Sequence, residues 1–340
     1  MQPQTSNEVC YRQVVTALGI GTLFFLLFLL LISGAVAVMT FLLAVLPLSP
    51  LAAKLIYQLT YGALYLAAFL CPIPIMKALM RSRELPWQAA RTRRGVSRYL
   101  PLIVLGGITV ILAQSYLNAG LVNFFDFDSL FDSTLPSTEG KMTGLDLLLS
   151  ILVMAAVPAF CEEFLFRGAI LGNLLPFGRG TAVLVNALAF GLMHQNPAQF
   201  LYAFGAGILL GTVYERTGSI WNCVALHFCN NATSVLATAL PQWLGEETGT
   251  VVLLILDVLL VVFGLISIVF LTRRMSRKPD VRDGAFGRSL PQADGYATYH
   301  VAPARSVRLL LASPFGVFLI ACAVMGILTM LMLMLAGSVV

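Results

Sequence analysis

The sequence predicts an all-α protein, a polytopic transmembrane helix bundle with about eight or nine membrane helices. Three observations point there. Of 340 residues, 59% are hydrophobic and 11% charged, whereas soluble domains carry about 25% charged residues. Apolar runs of about 20 residues, the length that spans a bilayer as a helix, recur along the chain. The charged residues fall between these runs, and basic and acidic loops alternate.

Nine candidate spans lie near 14–46, 52–76, 99–122, 144–174, 181–196, 198–214, 219–240, 251–271 and 307–336. The first follows Arg12, and "AVA" at 35–37 mimics a signal-peptidase site. Its hydrophobicity nevertheless continues to Leu46, well past the roughly 7–15 apolar residues of a cleavable signal, so a retained helix is expected. Lys77, Arg81, Arg83, Arg91, Arg93, Arg94 and Arg98 follow the second span. Arg273, Arg274, Arg277, Lys278, Arg282, Arg288, Arg305 and Arg308 follow or border the eighth. The positive-inside bias makes both loops cytoplasmic.

Asp126, Asp128, Asp132 and Glu139 after the third span, and Glu246 and Glu247 after the seventh, then face outside. A cytoplasmic N-terminus and nine spans put every loop on its expected side. The fifth and sixth spans are short and separated by "HQNPAQ"; a re-entrant hairpin there leaves the later parity unchanged. The expected organisation is a three-helix segment at 1–142, a core at 143–240, and two final helices at 241–340 joined by a basic cytoplasmic linker near 272–306. The expected location is the cytoplasmic (plasma) membrane, as a multi-pass integral protein.

The net charge of +5 does not signal nucleic acid, because the basic residues form loop clusters and no continuous stripe. The lipid bilayer is the expected environment, and nucleic acid is not an expected partner. The six cysteines are scattered through mostly apolar segments without a CxxC spacing; they read as small buried apolar residues, with no disulfide implied.

The polar residues inside the spans are the functional candidates. "VPAFCEEFLFRGAILGNLLPF", residues 157–177, holds Glu162, Glu163 and Arg167 in an apolar run. Of three histidines, His300 lies in the polar linker, whereas His194 and His227 lie at or within apolar helices. Glu163 and Arg167, Phe190 and His194, and His227 and Asn231 are each four apart and share a helix face. A single intramembrane histidine or asparagine is commonly a packing hydrogen bond, and a Glu–Arg pair can simply neutralise itself; Phe164, Phe166 and Phe190 read as packing residues. Six polar residues concentrated on three helices argue for function instead, since intramembrane ionisable groups usually mark a site. Gly205, Gly207 and Gly211 include a GxxxG spacing that lets helices approach closely. Pro158 is expected to kink its helix and free a backbone carbonyl just before the glutamates.

EExxxR (Glu162, Glu163, Arg167), FxxxH (Phe190, His194) and HxxxN (His227, Asn231), in this order on membrane helices, resemble the CPBP family of CAAX endopeptidases and bacteriocin-processing relatives, also called Abi. The likeness covers about 145–240. It implies an intramembrane glutamate-type protease, acting on a membrane-associated peptide or protein, CAAX-like or otherwise, without metal or other cofactor. In that reading Glu162 is the general base and holds the attacking water with His194. His227 and Asn231 donate to the oxyanion, and Glu163 and Arg167 support the site. The chemistry is sound on general grounds: a desolvated carboxylate is a stronger base, and an oxyanion donor is worth about 10²–10³ in rate.

Counting at about 1.5 Å per residue puts His227 about 12 Å, Asn231 about 18 Å and His194 about 20 Å from the cytoplasmic ends of their spans, and Glu162 about 27 Å from the outer end of its own, in a hydrocarbon core about 30 Å thick; the site is expected in the inner half of the membrane. Two alternatives stay open: a zinc-dependent membrane protease using the same Glu and His set, and a non-catalytic membrane scaffold or immunity protein.

Overall fold

Backbone groups in hydrocarbon have no water to bond, so apolar runs of this length satisfy their N–H and C=O groups as helices. The computed structural model describes residues 3–87, 95–124, 142–276, 299 and 301–337, and these form helices with no strand. The helices are α1 Pro3–Val45, α2 Pro50–Leu70, α3 Pro72–Arg81, α4 Leu100–Phe124, α5 Gly144–Phe177, α6 Arg179–Leu192, α7 Pro197–Thr217, α8 Ile220–Leu244, α9 Glu246–Ser276, α10 Pro303–Leu311 and α11 Pro314–Gly337. The sequence expectations on His300, on loop residues 88–94, on the acidic loop 125–141 and on the linker 277–298 lie outside the described residues.

Among the described residues seven helices are long and apolar enough to cross a membrane: α1, α2 with α3, α4, α5, α8, α9 and α11. The fifth and sixth candidate spans are α6 and α7, and they are not among the seven. With 14 residues, α6 reaches only about 21 Å at 1.5 Å per residue. The pair forms an antiparallel hairpin. A Cβ on Gly207 would lie 2.9 Å from Ala187 Cα, one on Gly211 would lie 3.2 Å from Val183, and Arg179 pairs with Glu215 at 3.1 Å at the hairpin's base. The GxxxG spacing of α7 thus packs against the 183 and 187 ridge of α6, and side chains there would push the backbones apart.

Hydrogen bonds and an ion pair tie the bundle at two opposite ends. At one, Ser219 Oγ donates to Gly95 O at 2.6 Å, Ser97 N to Asn222 Oδ1 at 2.9 Å and Tyr299 N to Pro176 O at 3.0 Å. At the other, Met142 N donates to Gln242 Oε1 at 3.0 Å, Trp243 Nε1 to Met142 O at 2.5 Å, and Lys54 pairs with Asp146 at 2.5 Å. α2 runs parallel to α5, meeting it at Lys54 and Asp146, Gly62 and Val153, and Tyr65 and Glu162.

An aromatic cluster joins the two chain ends to this core. The Phe25 ring of α1 lies 4.7 Å from Phe69, 6.2 Å from Phe166 and 6.3 Å from Phe318, centroid to centroid. α1 and α11 cross so closely that a Cβ on Gly19 would sit 2.0 Å from Phe315 N. Apolar area alone does not drive such association in lipid; close packing does.

Candidate active site

The helix that carries the glutamates is not uniform. α5 begins as an α-helix behind a capping box, Thr143 with Asp146, then winds as a π-helix over Ile151–Ala156, returns to α over Val157–Glu163, and is π-helical again over Phe164–Leu171. Pro158 supplies no N–H. The kink expected from it takes the form of a wide turn immediately before it, and the carbonyl four residues back, Met154 O, accepts from Asn231 Nδ2 at 3.3 Å. π-turns inside helices frequently accompany functional sites, and here two of them bracket Glu162 and Glu163.

The two glutamates have different partners. Glu163 and Arg167 are both fully buried, and Glu163 Oε1 accepts from Arg167 Nη1 at 2.9 Å. The same oxygen lies 2.8 Å from His227 Nδ1. Arg167 also reaches Gly207 O at 3.4 Å and lies over the Phe190 ring, 4.4 Å from its centroid. The expected ion pair is present and gains a histidine and a ring face as further partners. Glu162 is also buried, but it is not left without a partner as the spacing alone suggests: Tyr65 Oη donates to its Oε1 at 2.5 Å. Its Oε2 is buried with no protein partner.

Phe190 packs at the centre of the site. Its ring lies 5.2 Å from that of His194, 6.1 Å from that of His227 and 5.2 Å from that of Phe166, all near-perpendicular. Together with the Arg167 guanidinium this makes it the hub between α5, α6 and α8. His194, half-buried at the hairpin tip, directs Nδ1 to Phe190 O at 2.8 Å. A carbonyl only accepts, so Nδ1 carries the proton and the neutral ring offers Nε2 as an acceptor. His227 commits Nδ1 to the Glu163 carboxylate, so its Nε2 donates only when the ring is doubly protonated. Asn231 accepts from Asn230 Nδ2 at 3.1 Å, and Asn230 in turn bonds Tyr202 on α7.

The structure therefore brings Glu163, Arg167, His227 and, through Phe190, His194 into one cluster, with Glu162 beside it and Asn231 one turn beyond His227. Among the described residues no group of three or more His, Cys, Asp or Glu side chains is arranged to hold a metal ion. Sequence reading passed over Tyr65 and Asn230. A signal for Tyr65 existed: Tyr57, Tyr61, Tyr65 and Phe69 recur every fourth residue on α2, an aromatic stripe on one helix face.

These glutamates, histidines and Asn231 sit on the part of the chain that comparison singles out. Residues 144–233 match a family model described as Type II CAAX prenyl endopeptidase Rce1-like. This segment resembles the Rce1-like family. The match agrees with the CPBP resemblance and supports peptidase chemistry in a membrane at the level of that family. No curated protein and no solved structure matches the chain. All six sequence-predicted site residues fall inside the Rce1-like segment, whereas Tyr65 falls outside it.

Proposed function

We propose that this integral membrane protein is a glutamate-type intramembrane endopeptidase that hydrolyses a peptide bond in a membrane-associated peptide or protein. The carrying observation is the contrast between adjacent carboxylates: each keeps a buried Oε2 without a protein partner, but Glu163 Oε1 is shared between Arg167 and His227, whereas Glu162 Oε1 meets only the Tyr65 hydroxyl. Glu162 Oε2 takes a proton from water, and His194 Nε2 accepts the water's other hydrogen bond and orients it. The oxygen attacks the scissile carbonyl, and the proton on Glu162 passes to the leaving amine. His227 Nε2–H and the second N–H of Asn231 donate to the oxyanion. Glu163 and Arg167 hold the α5 helix, His227 and Phe190 in place.

The catalytic core is assigned to 143–240, with 1–142 and 241–340 as flanking membrane segments. The N-terminus and the loops 77–98 and 272–306 are assigned to the cytoplasm, and the membrane to the plasma membrane, because those loops hold most of the positive charge.

The test is cleavage of a fluorogenic, prenylated C-terminal peptide, and of an unprenylated one, by detergent-purified protein. Glu162→Gln is expected to lower turnover by about 10²–10⁴-fold with an unchanged melting temperature. Normal cleavage by that variant overturns the base assignment. Loss of cleavage on chelation, restored by zinc, transfers the same residues to the metal-dependent alternative. Absence of wild-type cleavage of either peptide or of membrane-protein pools favours a scaffold.

A further inference from the structure

α2 presents one continuous face to α5. Lys54, Tyr57, Tyr61 and Tyr65 lie three to four residues apart along it. The rings form a ladder, with centroids 6.2 Å apart from Tyr57 to Tyr61, 5.9 Å from Tyr61 to Tyr65 and 4.6 Å from Tyr65 to Phe69. The Phe69 ring is itself held against Phe25 at 4.7 Å. Three turns before Tyr65, the Lys54–Asp146 ion pair sets the axial register of α2 on α5. Tyr65 is thus flanked by the tilted Tyr61 ring and the stacked Phe69 ring, and its hydroxyl ends on Glu162 Oε1 at 2.5 Å.

This bond decides which way the carboxylate faces. Arg167 lies on the same helix with a buried Nε that has no partner, and a mobile Glu162 would be drawn toward that cation. A second carboxylate on Arg167 would leave the reacting position. With Oε1 held by Tyr65, Oε2 is the oxygen left buried and without a partner.

We infer that Tyr65 is a positioning residue for the hydrolysis, holding Glu162 Oε1 so that Oε2 is the oxygen that takes the proton from water. The inference rests on Glu162 being the base. Tyr65 keeps its own proton throughout: the water O–H breaks, its proton goes to Oε2, the oxygen bonds the carbonyl carbon, and that proton later leaves with the amine nitrogen as the C–N bond breaks. The residue lies outside the Rce1-like segment, so the site is completed by a helix the family match does not reach.

The experiment compares Tyr65→Phe, Tyr61→Phe and Glu162→Gln with wild type for kcat, KM and melting temperature on the same prenylated peptide. Phenylalanine keeps the ring stacks and removes only the hydroxyl. Loss of a hydrogen bond to a charged group is expected to lower kcat about 10–100-fold in Tyr65→Phe. KM stays within about twofold, because no substrate contact is removed. Tyr61→Phe, one turn away, keeps wild-type kcat. Wild-type kcat in Tyr65→Phe overturns the inference, as does an equal loss in Tyr61→Phe or a loss of kcat that only tracks a lower melting temperature. If Glu162→Gln is inactive while Tyr65→Phe is normal, the inference fails and the protease reading stands. If Glu162→Gln is active, both fall.

Discussion

Asn231 donates its amide to Met154 O at 3.3 Å, the carbonyl that Pro158, four residues later, cannot serve for lack of an N–H. A residue assigned to the oxyanion therefore also closes a gap in the helix that carries the base. Asn231→Ala is expected to lose turnover about 10²-fold and also about 1–3 kcal/mol of stability from the unsatisfied carbonyl. Adding Pro158→Ala restores a backbone donor near Met154 O, so the double variant regains melting temperature but not turnover. Recovery of both would show that Asn231 acts on structure alone.

Glu163 serves a guanidinium and an imidazole through one oxygen. Glu163→Gln leaves Arg167 buried without its counter-charge, and breaking such a pair costs about 3–5 kcal/mol. Yield of folded protein and melting temperature are expected to drop together with cleavage, in contrast to Glu162→Gln. Size-exclusion profiles and melting curves of the two variants, measured side by side, distinguish them; a Glu163→Gln protein of wild-type stability refutes the support role.

Gly205 and Gly207 make opposite demands on their neighbours. A Cβ on Gly205 would meet Gln114 Nε2 at 1.5 Å, the far end of a flexible side chain, whereas one on Gly207 would meet Ala187 Cα at 2.9 Å, in the backbone of α6. Gln114 can turn away and α6 cannot. Gly207→Ala is therefore expected to destabilise more than Gly205→Ala, despite the milder overlap, and to lower turnover by moving His194 and the Gly207 carbonyl that Arg167 reaches. Equal melting temperatures for the two would contradict the close hairpin packing.

Orientation is open to direct measurement. Ser82→Cys and Glu247→Cys, both exposed, placed singly in a protein freed of its own cysteines, are expected to react differently with an impermeant maleimide on intact cells. Glu247→Cys labels from outside, and Ser82→Cys labels only after the membrane is opened. Labelling of Ser82→Cys from outside would reverse the topology and move the site to the outer half of the bilayer.

Much of the fold was legible because each of its causes is local. Hydrocarbon admits helices, loop charge orders them, and the Glu163–Arg167 pair follows from four-residue spacing on one helix. The hairpin of α6 and α7 was only half legible: the short α6 and the GxxxG spacing were visible, but that these two runs pack on each other depends on the neighbours they meet.

The sequence by itself determined a helical membrane protein, the cluster of Glu162, Glu163, Arg167, His194, His227 and Asn231 as its candidate site, and the likeness that the family match at 144–233 bears out. Only the tertiary structure decided what each of these groups bonds. Tyr65 is 97 residues from Glu162 in the chain, His227 is 64 from Glu163 and Asn231 is 77 from Met154. No periodicity spans such separations, because helix spacing sets which residues share a face but packing between helices sets which faces meet. The partners of the histidines and the free oxygen of Glu162 follow from those meetings, since a polar group buried in lipid takes whatever partner the neighbouring helix brings within about 3 Å.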